Sequence, residues 1–265
     1  MTNAELVSRS EFHPWGRHSD ALSGVTLFCD FDGPIMDVSE RYYHTYCLGL
    51  TDTQRHYQSL GQPLQLAPLS QEQFWRMKQD RTPDTEIAMR SGLEPSQVSW
   101  FLKRVKHIVN QDTLLAQDRL QAGVIWALHL LHSHGARLVL VTLRQRDQVK
   151  QILNQHHLNH LFAAVWGAGD RDAAYNNHAQ HKADLLRQAI AHSLQVGYSA
   201  NRAYMIGDTE ADIIAGQTHG ISTFAVTCGI RSRSYLEQFE PTHIHSDLLT
   251  IAHQLLNCPA LDYRA

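Results

Sequence analysis

Residues 25–34 read Val25-Thr26-Leu27-Phe28-Cys29-Asp30-Phe31-Asp32-Gly33-Pro34, a short run of apolar and β-branched side chains that stops on an acid. Five such residues without polar alternation predict a strand covered on both faces, as in a parallel sheet. Side chains alternate along a strand, so Asp30 and Asp32 leave it on the same side, and Gly33 permits a sharp turn after them. Two carboxylates therefore converge at the tip of a buried strand.

Downstream of residue 118 the texture alternates. A helical pattern over 124–131 precedes a strand at 137–141. A helix through Val149, Ile152 and Leu153 then precedes a strand at 162–166. A helix over 185–194, a strand at 203–206, a helix near Ile213, a strand at 222–226 and a last helix after Ser246 repeat the rhythm. Strands separated by helices of this length predict an α/β fold built on a parallel sheet with right-handed crossovers. Between the first strand and this series the apolar spacing is helical, as in Val98, Phe101, Leu102, Val105, Ile108 and Val109, with Ser70 and Gln73 placed as a capping box. The chain is thus expected to divide into a polar lead-in (1–24), a core (25–37 plus 119–265) and a helical insert (38–118). In the insert Trp75, Trp100 and Phe101 are read as core, and Lys78 and Arg81 as side chains able to reach the cleft. Its nine basic and nine acidic residues balance, so the insert does not imply a highly anionic ligand.

With 265 residues, 18% charged and 43% hydrophobic, the chain is long and apolar enough to bury a sizeable core. A net charge of -3 without a long basic run leaves no field to attract a nucleic acid or an anionic membrane surface. No stretch approaches the ~18 apolar residues of a membrane span, and the N-terminal residues lack the apolar segment of a signal peptide. Cys29, Cys47, Cys228 and Cys258 form no C-x-x-C pair. A reduced, cytoplasmic protein is expected, a monomer or homodimer. The histidine groups at His129, His132, His134 and at His156, His157, His160 lack a carboxylate at a ligand spacing and read as helix faces.

In an open parallel sheet, ligands bind beyond the carboxyl ends of the strands. One such end carries Thr142-Leu143-Arg144, a hydroxyl and a cation; another carries Gly207-Asp208-Thr209-Glu210-Ala211-Asp212, whose two acids share a face if a helix starts there. Four carboxylates at two neighbouring tips repel, by about 4 kcal/mol for a pair 4 Å apart at an effective dielectric near 20, so they call for cations. All-oxygen ligands suit Mg²⁺. Of the two lysines after Thr142, Lys182 follows an irregular stretch at a strand tip and is the better placed.

Asp30-x-Asp32-Gly33, Thr142, Lys182 and Gly207-Asp208-x-x-x-Asp212, in this order and each at or just beyond a predicted strand end, resemble the four motifs of the haloacid dehalogenase superfamily. The insert is similar to the helical cap of its phosphoglycolate-phosphatase-like members. That resemblance implies a Rossmann-like three-layer core with a cap inserted after the first strand. It implies Mg²⁺-dependent hydrolysis of a small phosphorylated metabolite. Asp30 would be the nucleophile and Asp32 the acid and base, while Thr142, Lys182 and backbone groups near Gly33 and Leu143 would hold the phosphoryl oxygens. The metal would rest on Asp30, the Asp32 carbonyl and Asp208, with Asp212 orienting Lys182 or a metal-bound water. Arg144 is a candidate substrate ligand, although a surface or supporting place suits it better. Pro34 departs from the motif, where a threonine or small aliphatic residue is usual, which leaves the subgroup and substrate open. A phosphomutase on the same scaffold and a ligand-binding protein that keeps the fold remain as alternatives. Asp32 speaks against carbon-halogen hydrolysis, and the absence of an insert lysine before Lys78 against phosphonate cleavage.

Overall fold

The computed structural model describes residues 20–169 and 173–257. The lead-in 1–19, three residues of the irregular stretch before Lys182, and Cys258 therefore lie outside the described residues. A buried strand β1 (Thr26–Cys29) opens the core and is followed by the short β2 (Met36–Asp37). Five helices come next: α1 (Ser39–Ser59), α2 (Gln71–Gln79), α3 (Asp84–Arg90), α4 (Pro95–Ile108) and α5 (Asp112–Leu115). The chain returns through β3 (Arg119–Leu120), α6 (Val124–Ser133), β4 (Arg137–Gln145), α7 (Arg146–Gln155) and β5 (Phe162–Ala168). It continues with α8 (Ala173–Asn176), α9 (Ala179–Gln195), β6 (Ala203–Gly207), α10 (Glu210–Thr218) and β7 (Ser222–Val226). The helix α11 (Arg233–Leu236), the strand β8 (His243–His245) and α12 (Leu248–Asn257) complete it.

Six strands form one parallel sheet in the order β5-β4-β1-β6-β7-β8. The strand β1 lies inside it, between β4 and β6, and all four of its residues are buried, which is why its sequence does not alternate. Successive residues face opposite layers. Leu27, Cys29, Leu138, Leu140 and Ile206 pack with apolar residues of α6, α7 and α12, whereas Phe28, Val139, Val141 and Met205 pack with α9 and α10. The result is the Rossmann-like three-layer core expected from the sequence.

Two strand ends differ from the expectation. The strand β4 runs on to Gln145 and so contains Thr142, Leu143 and Arg144, with a pairing irregularity against β5 between Thr142 and Gln145; β5 runs on to Ala168. Polar residues here continue the ladder because β5 supplies backbone partners on one side. The three-residue β8 carries His243 and His245 and was not read as a strand, since it shows no apolar run.

The short strands β2 and β3 pair antiparallel, Met36 opposite Leu120 and Asp37 opposite Arg119, so the five helices leave and rejoin the core side by side. These helices have their own core of Tyr46, Leu50, Phe74, Ile87, Val98 and Phe101. Tyr46 stacks on Phe74 with ring centroids 4.7 Å apart. Phe101 is core as expected. Trp100 is instead half-buried and stacked on His56, and Trp75 is half-buried against the main core. The expected capping box is present: Ser70 Oγ accepts from Gln73 N and the Gln73 side chain accepts from Ser70 N. Replacing Ser70→Ala is expected to cost about 1 kcal/mol in urea unfolding, because an N-terminal N–H of α2 loses its partner.

Candidate active site

Four strand tips meet at one end of the sheet. Asp30 directly follows β1, with its N–H donated to Ile206 O at 2.8 Å and its Oδ1 accepting from Phe31 N at 2.7 Å. Its Oδ2 lies 2.7 Å from Lys182 Nζ, which also contacts Asp212 Oδ1 at 2.8 Å and donates to Val141 O at 3.2 Å. Lys182 is fully buried in the first turn of α9. Burial pushes its ammonium toward neutrality, but Asp212 and Asp30 outweigh this and hold it charged.

The turn from β6 into α10 supplies the other acids. Thr209 caps the helix, and Asp212 Oδ2 accepts from both Thr209 N at 3.1 Å and Thr209 Oγ1 at 2.7 Å. Asp208 Oδ2 accepts from Ile230 N at 2.6 Å, while its Oδ1 is buried without a hydrogen-bond partner. A Cβ on Gly33 or Gly229 would lie 2.1 Å or 2.0 Å from atoms of the Asp208 side chain, so both glycines are required for the backbone to close on this carboxylate. Gly33 also has φ +96°, where a side chain is strained. Asp30, Asp208 and Asp212 each offer an oxygen within 4.8 Å of the others. Burial, opposed by Lys182 and reinforced by Asp212, pushes the Asp30 carboxyl up to about 7. Asp208 is raised by burial and then by Asp212 and Asp30.

Asp32 stands apart from this acidic group. Its Oδ1 is 2.8 Å from Arg144 Nη1 and its Oδ2 is 3.0 Å from Arg41 Nη2. Both arginines also bind the buried Asp118, at 2.8 Å each. Burial would raise the Asp32 carboxyl, but Arg144 and Arg41 hold it below the usual carboxylate range. Arg144 is thus buried rather than on the surface, and its charge is committed to two carboxylates. Thr142 is buried beside it, its Oγ1 accepting from Arg144 N at 3.1 Å.

Sequence reading left Arg41 and Asp118 among the balanced charges of the insert. Charge counting carries no signal that one end of α1 and the residue before β3 would meet over Asp32; the pairing of β2 with β3 brings them there. It also missed Arg231 and Glu210. Arg231 Nε is 2.9 Å from Glu210 Oε2, and its Nη1 donates to Lys78 O at 3.2 Å. Arg81 Nε reaches Glu210 Oε1 at 3.2 Å, and Ser232 N donates to Gln79 O at 2.9 Å. The end of α2 is thereby docked on the loop after β7. Lys78 Nζ pairs with Asp84 Oδ1 at 2.7 Å, and Tyr175 Oη donates to Asp84 Oδ2 at 3.1 Å. Asp30, Asp32, Thr142, Leu143, Arg144 and Asp208 line one cleft of about 80 Å³, whose far wall includes Lys78 and Arg81, as the sequence suggested.

The fold and this site define a class: an α/β protein with a parallel sheet, a buried acid at the tip of a central strand, a buried lysine, and an acidic helix N-terminus beneath a group of inserted helices. Residues 27–226 match the model of the haloacid dehalogenase-like hydrolases, and the chain belongs to that family. It is similar to a phosphoglycolate phosphatase of Aliivibrio fischeri, 33% identical over 114 residues, which are 43% of this chain and 47% of the relative. It is also similar to the pyrophosphatase PpaX of Bacillus cereus, 30% identical over 124 residues, or 46% of this chain and 54% of the relative. The chain spans about half the length of the curated relatives it matches. In fold it matches a subfamily IA hydrolase of the superfamily from Geobacter sulfurreducens, with TM-score 0.56 and 18% identity over 88% of this chain and 97% of that one. A haloacid dehalogenase-like hydrolase from Streptococcus pneumoniae gives TM-score 0.57 and 20% identity over 88% and 99%. Among the described residues no helix is long and apolar enough to cross a membrane.

Proposed function

We propose that the chain hydrolyses small phosphomonoesters in a Mg²⁺-dependent reaction that passes through a phosphorylated Asp30. The observation that carries this reading is the buried Asp30 carboxylate, held by Lys182 on one side and facing an unpartnered Asp208 oxygen on the other. An Asp30 oxygen forms the new bond to phosphorus as the bond to the alcohol oxygen breaks. The departing alkoxide takes its proton from solvent; water then attacks phosphorus, the bond from phosphorus to the Asp30 oxygen breaks to free inorganic phosphate and the carboxylate, and the proton of the attacking water passes to Asp32. Paired with Arg41 and Arg144, Asp32 is ionised in this structure and so stands in the form that accepts that proton. Lys182 would offset the charge of the phosphoryl group and the Thr142 hydroxyl would donate to one of its oxygens. Leu143 and Gly33 offer backbone N–H groups at the same tips, although the Gly33 N–H is already given to Met36 O at 2.8 Å. Arg144, at the cleft wall, holds Asp32 and Asp118 through Nη1 alone, and its Nε and Nη2 are buried without a partner.

The donor set fits a hard divalent cation, being three carboxylates that include an orphaned oxygen. Asp30 and Asp208 would hold Mg²⁺ with the Asp32 carbonyl, and Asp212 would act mainly through Lys182. When bound, the ion supplies charge that lets a carboxylate approach an anionic phosphoryl group. Hydrolysis of p-nitrophenyl phosphate is expected with Mg²⁺ and lost with EDTA; turnover equal under both conditions would refute the metal requirement, and no turnover with any phosphoester would refute the reading.

Metal binding should depend on pH with a definite sign. Asp30 and Asp208 titrate above their unfolded values, so the folded protein binds protons there that the unfolded chain has lost. Their contribution to metal-free stability is present at low pH and fades as pH rises toward about 7. Mg²⁺ competes with those protons. About 10 mM Mg²⁺ is therefore expected to raise the Tm by several degrees at about pH 8 and by much less at about pH 5.5. Differential scanning fluorimetry at both pH values checks it.

A further inference from the structure

Asp208, the carboxylate that would share the metal with Asp30, stands in a narrow slot. A Cβ on Gly33 would come within 2.3 Å of its Oδ1 and one on Gly229 within 2.0 Å of its Oδ2, so each glycine backbone walls one of its oxygens. Ile230 N–H donates to Oδ2 at 2.6 Å, which leaves the buried Oδ1 as the oxygen without a partner. A carboxylate otherwise turns readily about its last side-chain bond. The direction in which Oδ1 points therefore depends on keeping both walls and the Ile230 N–H in place.

Two side chains do the keeping. Gln121, directly after β3, ties the walls together at one end: its Nε2 donates to Gly33 O at 2.9 Å and to Cys228 O, next to Gly229, at 3.1 Å. Arg231 closes the other end. It is buried, its Nη1 donates to Ile230 O at 3.2 Å, and its Nε pairs with Glu210 Oε2 at 2.9 Å. Glu210 lies two residues after Asp208, so the two chain segments 208–210 and 230–231 close into a ring through one hydrogen bond and one ion pair. The same guanidinium donates to Lys78 O and Ser232 N donates to Gln79 O, which fastens the ring to the end of α2.

We propose that Gln121 and Arg231 are positioning residues for the metal: they hold the slot closed and so aim Asp208 Oδ1 at the cation. The inference rests on the reading of Asp30 and Asp208 as a Mg²⁺ site and extends it to two residues that touch neither the ion nor the substrate. Residues that orient a metal ligand typically contribute about 10- to 100-fold to metal affinity.

Calorimetric titration of the full chain with Mg²⁺ alone tests the assignment without turnover. Arg231→Met and, separately, Gln121→Met are each expected to weaken Mg²⁺ binding at least about tenfold. Charge alone predicts the opposite sign for Arg231→Met, because deleting a positive group favours a cation. Arg231→Lys keeps the charge but not the planar fork and is expected to fall between Arg231→Met and the wild type. A merely structural role would lower the Tm and leave the Kd of the folded protein unchanged. Circular dichroism identifies a variant that fails to fold; the other then carries the comparison, and Arg231→Lys carries it if both methionine variants fail. Mg²⁺ binding equal to or tighter than that of the wild type in any of these folded variants would overturn the proposal, as would a wild type that binds no Mg²⁺. Turnover of p-nitrophenyl phosphate by the wild type separates the two claims. Weakened Mg²⁺ binding in the variants without hydrolysis by the wild type would refute the phosphatase and leave the positioning assignment standing. Hydrolysis by the wild type with unchanged Mg²⁺ affinity in the variants would do the reverse.

Discussion

Asp30→Asn is expected to lower kcat on p-nitrophenyl phosphate by about 10⁴-fold or more, because the amide cannot form the covalent bond to phosphorus that the reaction requires. The same change should leave the metal-free fold intact. Asp30 is buried beside Asp208 and Asp212, and its carboxyl is already pushed up to about 7, so removing its charge relieves repulsion as much as it weakens the contact with Lys182. Unfolding in urea with EDTA is therefore expected to give a midpoint equal to or above that of the wild type. Activity near the wild-type level would remove Asp30 from the mechanism. An unfolded variant would mean that the carboxylate serves the structure first.

Lys182→Met has the opposite profile, costing stability as well as activity. The ammonium is the only cation in direct contact with Asp30 and Asp212 among the described residues, and all three side chains are buried. Removing one partner of such a group leaves charges without compensation, which typically costs about 3–5 kcal/mol. Acid should reduce the penalty. Once Asp30 is protonated it no longer needs the lysine, so the loss measured at about pH 8 should shrink by about pH 5.5. Urea unfolding at both pH values reads this directly. A loss of the same size at both would show that the lysine stem, rather than its charge, is what the core needs.

These predictions reflect what the chain reveals before it is folded. Asp30 and Asp208 were legible because each directly follows a buried strand, and burial on both faces leaves a continuous apolar run that ends on a polar residue; Thr142 lies inside β4 and Lys182 in the first turn of α9. Asp30, Thr142, Lys182, Asp208 and Asp212 do come together. The surroundings of Asp32 were not legible. Arg41 lies in the first turn of α1 and Asp118 at the far end of the insert, and nothing in helical spacing says which exposed-looking charges a returning chain will bury. Arg144 lies in the supporting place against Asp32 that the sequence allowed for and not on the surface, because a strand that outruns its apolar stretch draws its last residues inside. The strand β8 shows the limit from another direction, since three residues with two histidines become a strand through the neighbour they pair with and not through any pattern of their own.

The pairing of Asp37 with Arg119 has a consequence for the lineage of the molecule. Because the chain departs and returns at register partners, the core could be closed at that point by a simple hairpin turn, and its strand order would be the same. Evolution can therefore exchange what hangs from β2 and β3 as a cassette, trying new lids on an old reaction. A swap must preserve one thing beyond the join: an arginine and an aspartate that reach back from the cassette and its edge to Asp32 and Arg144. Grafted lids that lack this pair would fit the seam and still leave the core's second acid without its keepers.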